Sequence, residues 1–124
     1  DRRLEIARIS SALHERALVQ HIVFGLADAL PRQYSGRDDP MQRLKWAEGE
    51  LDAGYGERLL AGPARDDTHV HVVAEQFEGH DLSVIVQKWK SISAHAINKR
   101  ELRKGIFWRR EYFDRCMRSE EQFS

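Results

Sequence analysis

A single cysteine, Cys116, is all the thiol this chain has. That excludes an internal disulfide framework and a zinc site built from several cysteines, and it is compatible with a reducing compartment. No apolar run approaches the ~18 to 20 residues of a membrane span, and the opening DRRLEIARIS lacks the apolar core of a signal peptide. Net charge is absent too, since 20 Lys and Arg balance 20 Asp and Glu. There is no repeat and no low-complexity tract. What is left is the expectation of a soluble, cytoplasmic protein that does not use a membrane. Its 124 residues, 41% of them hydrophobic, suffice for one compact domain and are too few for two comfortable cores.

The zero net charge hides an uneven distribution. Residues 36–81 carry five basic against eleven acidic side chains, whereas residues 82–118 carry ten basic against three acidic. Trp89, Phe107, Trp108, Tyr112 and Phe113 are interleaved with those cations. Phosphates attract cations and unpaired bases stack on flat side chains, so a basic, aromatic third suits a nucleic-acid groove. Solvated charges around ordinary core aromatics explain the same composition, and both readings stay open at this point.

Hydrophobic spacing sets the element order. Residues 3–18 place Leu4, Ile6, Ile9, Leu13 and Ala17 mostly three or four apart, which predicts an amphipathic helix. LVQHIVFGL, 18–26, is rich in β-branched and aromatic residues and predicts a strand. RQYSGRDDP, 32–40, reads as a loop, with a helix capped by Asp38 or Asp39 running from Pro40 to about Gly54 or Gly56. HVHVVAE, 69–75, predicts a second strand and EGHD a turn. In LSVIVQKWKSISAHAIN, 82–98, Leu82, Ile85, Trp89, Ile92 and Ala96 alternate by three and four, predicting a helix capped by Asp81 or Ser83 with Trp89 in its core stripe. IFWRREYFDRCM, 106–117, reads as a strand or extended loop. SEEQFS opens a further helix with Ser119 as its cap.

The histidine strand carries the chemistry. Alternation puts His69 and His71 on one face, about 6.6 Å apart at their Cα atoms from a rise of ~3.3 Å per residue, close enough for both rings to reach one ion. Two ligands hold a metal weakly, so a working site needs a third and leaves positions for water and a substrate oxygen. Taken alone, a His-x-His strand is more often surface imidazole or core filler. A cupin-like metal domain would need further Glu and His ligands at strand spacing, but His80 falls in a turn and His95 on a helix. His21, isolated in its strand, reads as structural. Glu75 shares the histidine face but reads as an edge carboxylate, and Cys116 reads as a small core residue.

The blocks HIVFGLADALP, LDAGYGERLL, HVHVV, LSVIVQKWKSISAHAIN and FWRREYFDRCMRSEEQF, in that order, cover more than half of the chain. Together they resemble the REP-associated tyrosine transposases, single-tyrosine members of the His-hydrophobic-His nuclease class. The resemblance implies an α+β fold, a ferredoxin-like antiparallel sheet with helices packed on one side of it. It implies that His69 and His71 are paired ligands of Mg²⁺ or Mn²⁺. The partner would be single-stranded or hairpin DNA, and the activity nicking and rejoining, in which a tyrosine attacks a phosphodiester to give a phosphotyrosine link and a free 3′ hydroxyl. Lys88, Lys90, Lys99, Arg100, Arg109 and Arg110 are then expected along the DNA backbone, with Trp108 as a stacking surface. A bacterial, nucleoid-associated monomer or homodimer follows.

Two departures qualify this reading. The family's nucleophile sits in a Tyr-apolar-x-x-Asn-Pro helix after the WRREYFD block, and no such pattern occurs before Ser124. Of Tyr34, Tyr55 and Tyr112, only Tyr112 lies near the block, and it reads as a packing residue. The catalytic residue is therefore unassigned, and 1–124 is expected to be a single domain lacking its catalytic helix. Second, PARDDT, 63–68, stands where the family has a helix and another strand, so the sheet is expected to be incomplete if those residues are truly deleted. The alternative function is a truncated or catalytically dead remnant that binds single-stranded DNA.

Overall fold

The computed structural model describes residues 2–27, 56–66 and 69–123, without the side chains of 63–66, 100, 120 and 123. Its elements are α1 (Arg2–His14), β1 (Leu18–Leu26), β2 (Glu57–Asp66), β3 (His69–Gln76), α2 (Leu82–Arg100), β4 (Trp108–Met117) and a 3₁₀ turn (Glu120–Phe123). The loop and helix expected over 32–54, and with them Tyr34 and Tyr55, lie outside the described residues.

The four strands form one antiparallel sheet in the order β2-β3-β1-β4. β1 and β2 both run antiparallel to β3, and β3 and β4 both run antiparallel to β1. This is the ferredoxin-like arrangement, with α2 as the crossover between the parallel pair β3 and β4. The fold is α+β, as the sequence predicts.

β2 is the element that the sequence concealed. PARDDT, 63–68, stands where the sheet is expected to be incomplete, yet Ala64, Arg65 and Asp66 pair with His71, Val70 and His69. Proline is tolerated here because β2 is an edge strand and Pro63 falls in a bulge, where no ladder bond is needed from its nitrogen. Two register shifts, Leu59/Ala61 and Ala61/Ala64, bend this edge. Gly62, at φ +83°, turns its N–H out of the ladder to Glu5 Oε2 of α1 at 3.0 Å. Two residues, 67–68, separate β2 from β3 in the sequence, and among the described residues the sheet has four strands.

Strand alternation splits the core in two. Ile22, Phe24, Val70, Val72 and Ala74 pack with Ile85, Val86, Trp89 and Ile97 of α2. On the other face, Val19, Val73 and Met117 pack with Ile9 and Ala12 of α1. The resemblance implied helices on one side only; here α1 and α2 cover opposite faces, because β1 and β3 are apolar at both parities where the helices sit.

Helix ends follow their local chemistry. Asp81 caps α2, its side chain accepting from Ser83 N–H at 2.9 Å and from the Ser83 hydroxyl at 2.8 Å, and these bonds hold its carboxyl below the ordinary range. Ser119 starts the 3₁₀ turn, and Gln122 Oε1 reaches back to accept from its N–H at 3.2 Å, half of a capping box. Both helices stop in Schellman motifs built on residues other than glycine. Ala17 N–H bonds to Ala12 O and Arg16 N–H to Leu13 O, with Arg16 at φ +62°. Arg103 N–H likewise bonds to Asn98 O and Leu102 N–H to Lys99 O, with Leu102 at φ +53°.

Leu102 is 93% exposed, so its side chain buries almost nothing while its backbone holds a conformation costly to a Cβ-bearing residue. Leu102→Gly is therefore expected to raise stability by roughly 0.5–1 kcal/mol, measured by urea denaturation, despite glycine's larger unfolded-state entropy.

Candidate active site

The histidine strand lies in the sheet, and its odd-numbered residues face the α1 side. His71 pairs with Val23 of β1, and Val73 with His21. His21 and His71 are thus diagonal neighbours on one face, and their rings meet, with Nε2 of His21 3.1 Å from Nδ1 of His71 and ring centroids 5.4 Å apart. Both line an open cleft of about 250 Å³ whose floor includes Val73 and Met117, and whose walls include Arg2 and Glu5 of α1 and Gln122 of the 3₁₀ turn. Glu5 is held there by the Gly62 N–H.

The electrostatics favour a neutral His21. Burial first, then the charges of His71 and Arg115, lower its pKa below the ordinary 6.5. Arg115 is its partner across β1 and β4 and donates to Gln122 O at 3.4 Å. The cleft is therefore bordered by cations and imidazoles.

Two imidazole nitrogens 3.1 Å apart suit a hydrogen bond between a donor and an acceptor. They equally suit neighbouring positions on one ion, since ligands about 2.1 Å from a metal and at roughly a right angle are ~3 Å from one another. His69 follows on the same face, opposite Gly25 of β1 and Asp66 of β2. Among the described residues no three His, Cys, Asp or Glu side chains converge as a ready cation site. The chain thus offers an imidazole pair with room beside it, and such a pair needs water or a substrate oxygen to complete a coordination sphere. Glu75 does not join it: its Oε1 accepts from Arg58 Nη2 at 2.9 Å.

The residues expected along DNA are dispersed. Lys90 is 7% exposed. Its Nζ donates to the carbonyls of Arg109, Arg110 and Glu111 at 2.8, 3.0 and 2.9 Å, and lies 5.9 and 5.7 Å from the ring centroids of Phe24 and Tyr112. All three ammonium donors are spent on one stretch of β4, where the register to β1 shifts between Phe24 and Leu26. Lys90 is a structural clamp and not a phosphate contact. Burial pushes its pKa down, against the opposing pull of Glu111.

Trp108 is also a correction. It is 4% exposed, its Nε1 donates to Ser93 Oγ at 2.9 Å, and its ring meets Phe24 and Phe107 edge to face. No base can stack on it. Trp89 is core, as its stripe predicts. Lys88 and Lys99 are exposed on α2, which covers the sheet face opposite His71, so they do not border the cleft. Arg109 and Arg110 are exposed on β4, and the Arg100 side chain lies outside the described ones. Cys116 is exposed rather than core. The residue that sequence reasoning missed is His21. The signal was present in its strand, but only the β1–β3 register places it against His71.

Residues 37–122 match the family model of the IS200-like transposases. The chain belongs to that family. Among solved structures, this IS200-like chain is similar to a REP-associated tyrosine transposase bound to a REP hairpin, with a TM-score of 0.63 and 15% sequence identity. The likeness covers 86% of this chain and 60% of that one, and at this identity it speaks to the fold. No curated protein matches the chain.

Two predictions follow from this geometry. His21 binds protons more weakly folded than unfolded, so unfolding takes up a proton and stability falls as pH drops from about 6.5 through the lowered folded pKa. Urea midpoints across pH 7 to 5 in metal-free buffer are expected to fall less steeply in His21→Gln than in the native chain. Lys90→Met is expected to cost about 2–3 kcal/mol by losing charge-assisted bonds to three carbonyls, whereas Lys88→Met should stay within about 0.5 kcal/mol, as exposed substitutions do.

Proposed function

We propose that this IS200-like chain serves DNA nicking and rejoining on single-stranded or hairpin DNA through a metal-assisted tyrosine transesterification. The observation that carries the reading is the cleft on the α1 face, where His71 of the His-x-His strand meets His21 beside Arg115 and Arg2. The family membership supports it, as does a fold shared with a transposase bound to a REP hairpin. The chain spans about 60% of that transposase's length.

His71, paired either with His69 on its own strand face or with His21 across the sheet, would hold a divalent cation, Mg²⁺ or Mn²⁺, as one of two imidazole ligands completed by water or a substrate oxygen, and imidazole donors favour Mn²⁺ of the two. When bound, the ion supplies Lewis-acid polarisation of a phosphoryl oxygen. The chain's own part is to hold two imidazoles adjacent, with burial favouring the neutral form of His21, and to offer the positive charge of Arg115 and Arg2 to the phosphate. Tyrosine attack forms a phosphotyrosine ester as the bond to the 3′ oxygen breaks; that oxygen takes up a proton and can later attack in reverse. In this reading the protein works as one domain, monomeric or homodimeric, in the cytoplasm at the bacterial nucleoid.

Tyr112 is not the attacking group. It pairs with Phe24 on the α2 face, opposite the cleft. Burial first, then the carboxylates of Asp114 and Asp81, push its phenol above the ordinary range, the reverse of activation. This placement favours a second reading, a module that binds single-stranded DNA without cleaving it.

Incubation with an end-labelled DNA hairpin and Mn²⁺ separates the two. A label that stays with the protein after denaturation, and is lost in His71→Ala, supports the enzyme. Retention of the hairpin under native conditions with no covalent adduct supports the binding module, and failure to bind the hairpin at all overturns both.

A further inference from the structure

We propose that Phe113, flanked by Arg115, is the platform on which an unpaired base stacks on the His71 face of the sheet. The inference rests on the DNA-binding reading above and deepens it by naming where a single strand would lie.

The argument starts from which aromatics can be reached. Trp89 and Phe107 are 1% exposed and Trp108 4%, and Tyr112 packs against the α2 core. A stacking surface requires an open ring face, so none of these serves. Phe113 is 70% exposed in the middle of β4, whereas the next most exposed described phenylalanine, Phe77, sits beyond the end of β3. Leaving a phenylalanine in water forgoes roughly 1.5–3 kcal/mol of burial.

Register places that ring. His71 pairs with Val23 and Val23 with Phe113, so the three form one cross-strand row on one face. Their outer members are two strand spacings apart, ~10 Å at the Cα atoms. The neighbouring row runs Val73, His21, Arg115. A cation thus lies beside the aromatic ring, on the same strand and face, with the imidazoles of His21 and His71 one and two strands inward. Flat ring, guanidinium and imidazoles in adjacent rows match a base and its phosphate, whereas a purely apolar partner has no counterpart for the charge of Arg115. Glu5, which also lines the cleft, accepts from the Gly62 N–H through Oε2.

The test uses the full chain and two probes, a DNA hairpin with a short unpaired arm carrying 2-aminopurine and the same hairpin with a blunt end. Phe113→Ala is expected to weaken binding of the armed hairpin about tenfold and to abolish the fluorescence quenching of the arm, as loss of one base–aromatic stack does. Phe113→Trp should retain both, and the blunt hairpin should not distinguish the variants. Exposure of the ring means that Phe113→Ala should unfold at an unchanged urea midpoint.

Equal affinity of Phe113→Ala and the native chain for the armed hairpin overturns the inference while leaving the DNA reading intact. So does an equal loss on both probes. A native dimer that Phe113→Ala converts to monomer with unaltered DNA affinity assigns the patch to contact between copies and also overturns it. A native chain that binds neither probe sinks the DNA reading, and the inference with it.

Discussion

The pleat of β3 is the constraint on which this molecule is arranged. In a strand, successive side chains must point to opposite faces. HVHVVAEQ uses one parity, Val70, Val72 and Ala74, to build the core under α2. The other parity, His69, His71 and Val73, passes from half-buried imidazole to the buried floor under α1. A shift of one residue in the pairing with β1 would bury the imidazoles and expose the valines, so the same apolar contacts that stabilise the sheet fix where the imidazoles meet. His21 enters through the same rule, since its partner Val73 stands two positions from His71.

The second arrangement is the tie between α2 and β4. Lys90, Trp89 and Ser93 lie on the buried side of α2, and each donates inward: Lys90 to three carbonyls of β4, Ser93 to Trp89 O at 2.6 Å, and Trp89 to Glu57 of β2 at 3.5 Å. With Trp108 donating to Ser93, the buried donors of this layer find acceptors, which such burial requires. A lysine at this position therefore belongs to the fold: it lies about 200° around the helix from the solvent-facing Lys88, on the side of the buried Val86 and Ser93.

Much of this was legible in advance. β1, β3, α2 and Trp89 were clear because hydrophobic period and capping residues agree over their whole length, and the Asp81 cap appears as read. β2 was not, because Pro63 and Gly62 are turn residues by local preference, and only membership of a bulged edge lets them sit in a strand. Lys90 and Trp108 were misjudged for a related reason. Charge and aromatic type suggest a solvent or ligand role, but neither discloses which side of α2 or β4 faces the core. The His-x-His strand was visible; the contact with His21 depends on pairing between segments fifty residues apart, and no single window of sequence contains it.

The bulged β2 margin has a consequence for how the protein keeps to itself. An outermost strand normally presents a row of amide and carbonyl groups that another polypeptide can zip onto, the route to fibrils and unintended dimers. Pro63 has no amide hydrogen, Gly62 lends its own to α1, and two irregularities interrupt the spacing a visiting strand would have to match. The N-terminal helix, fastened there through Glu5, thus does more than wall the cleft: it shields one flank of the sheet from uncontrolled self-association.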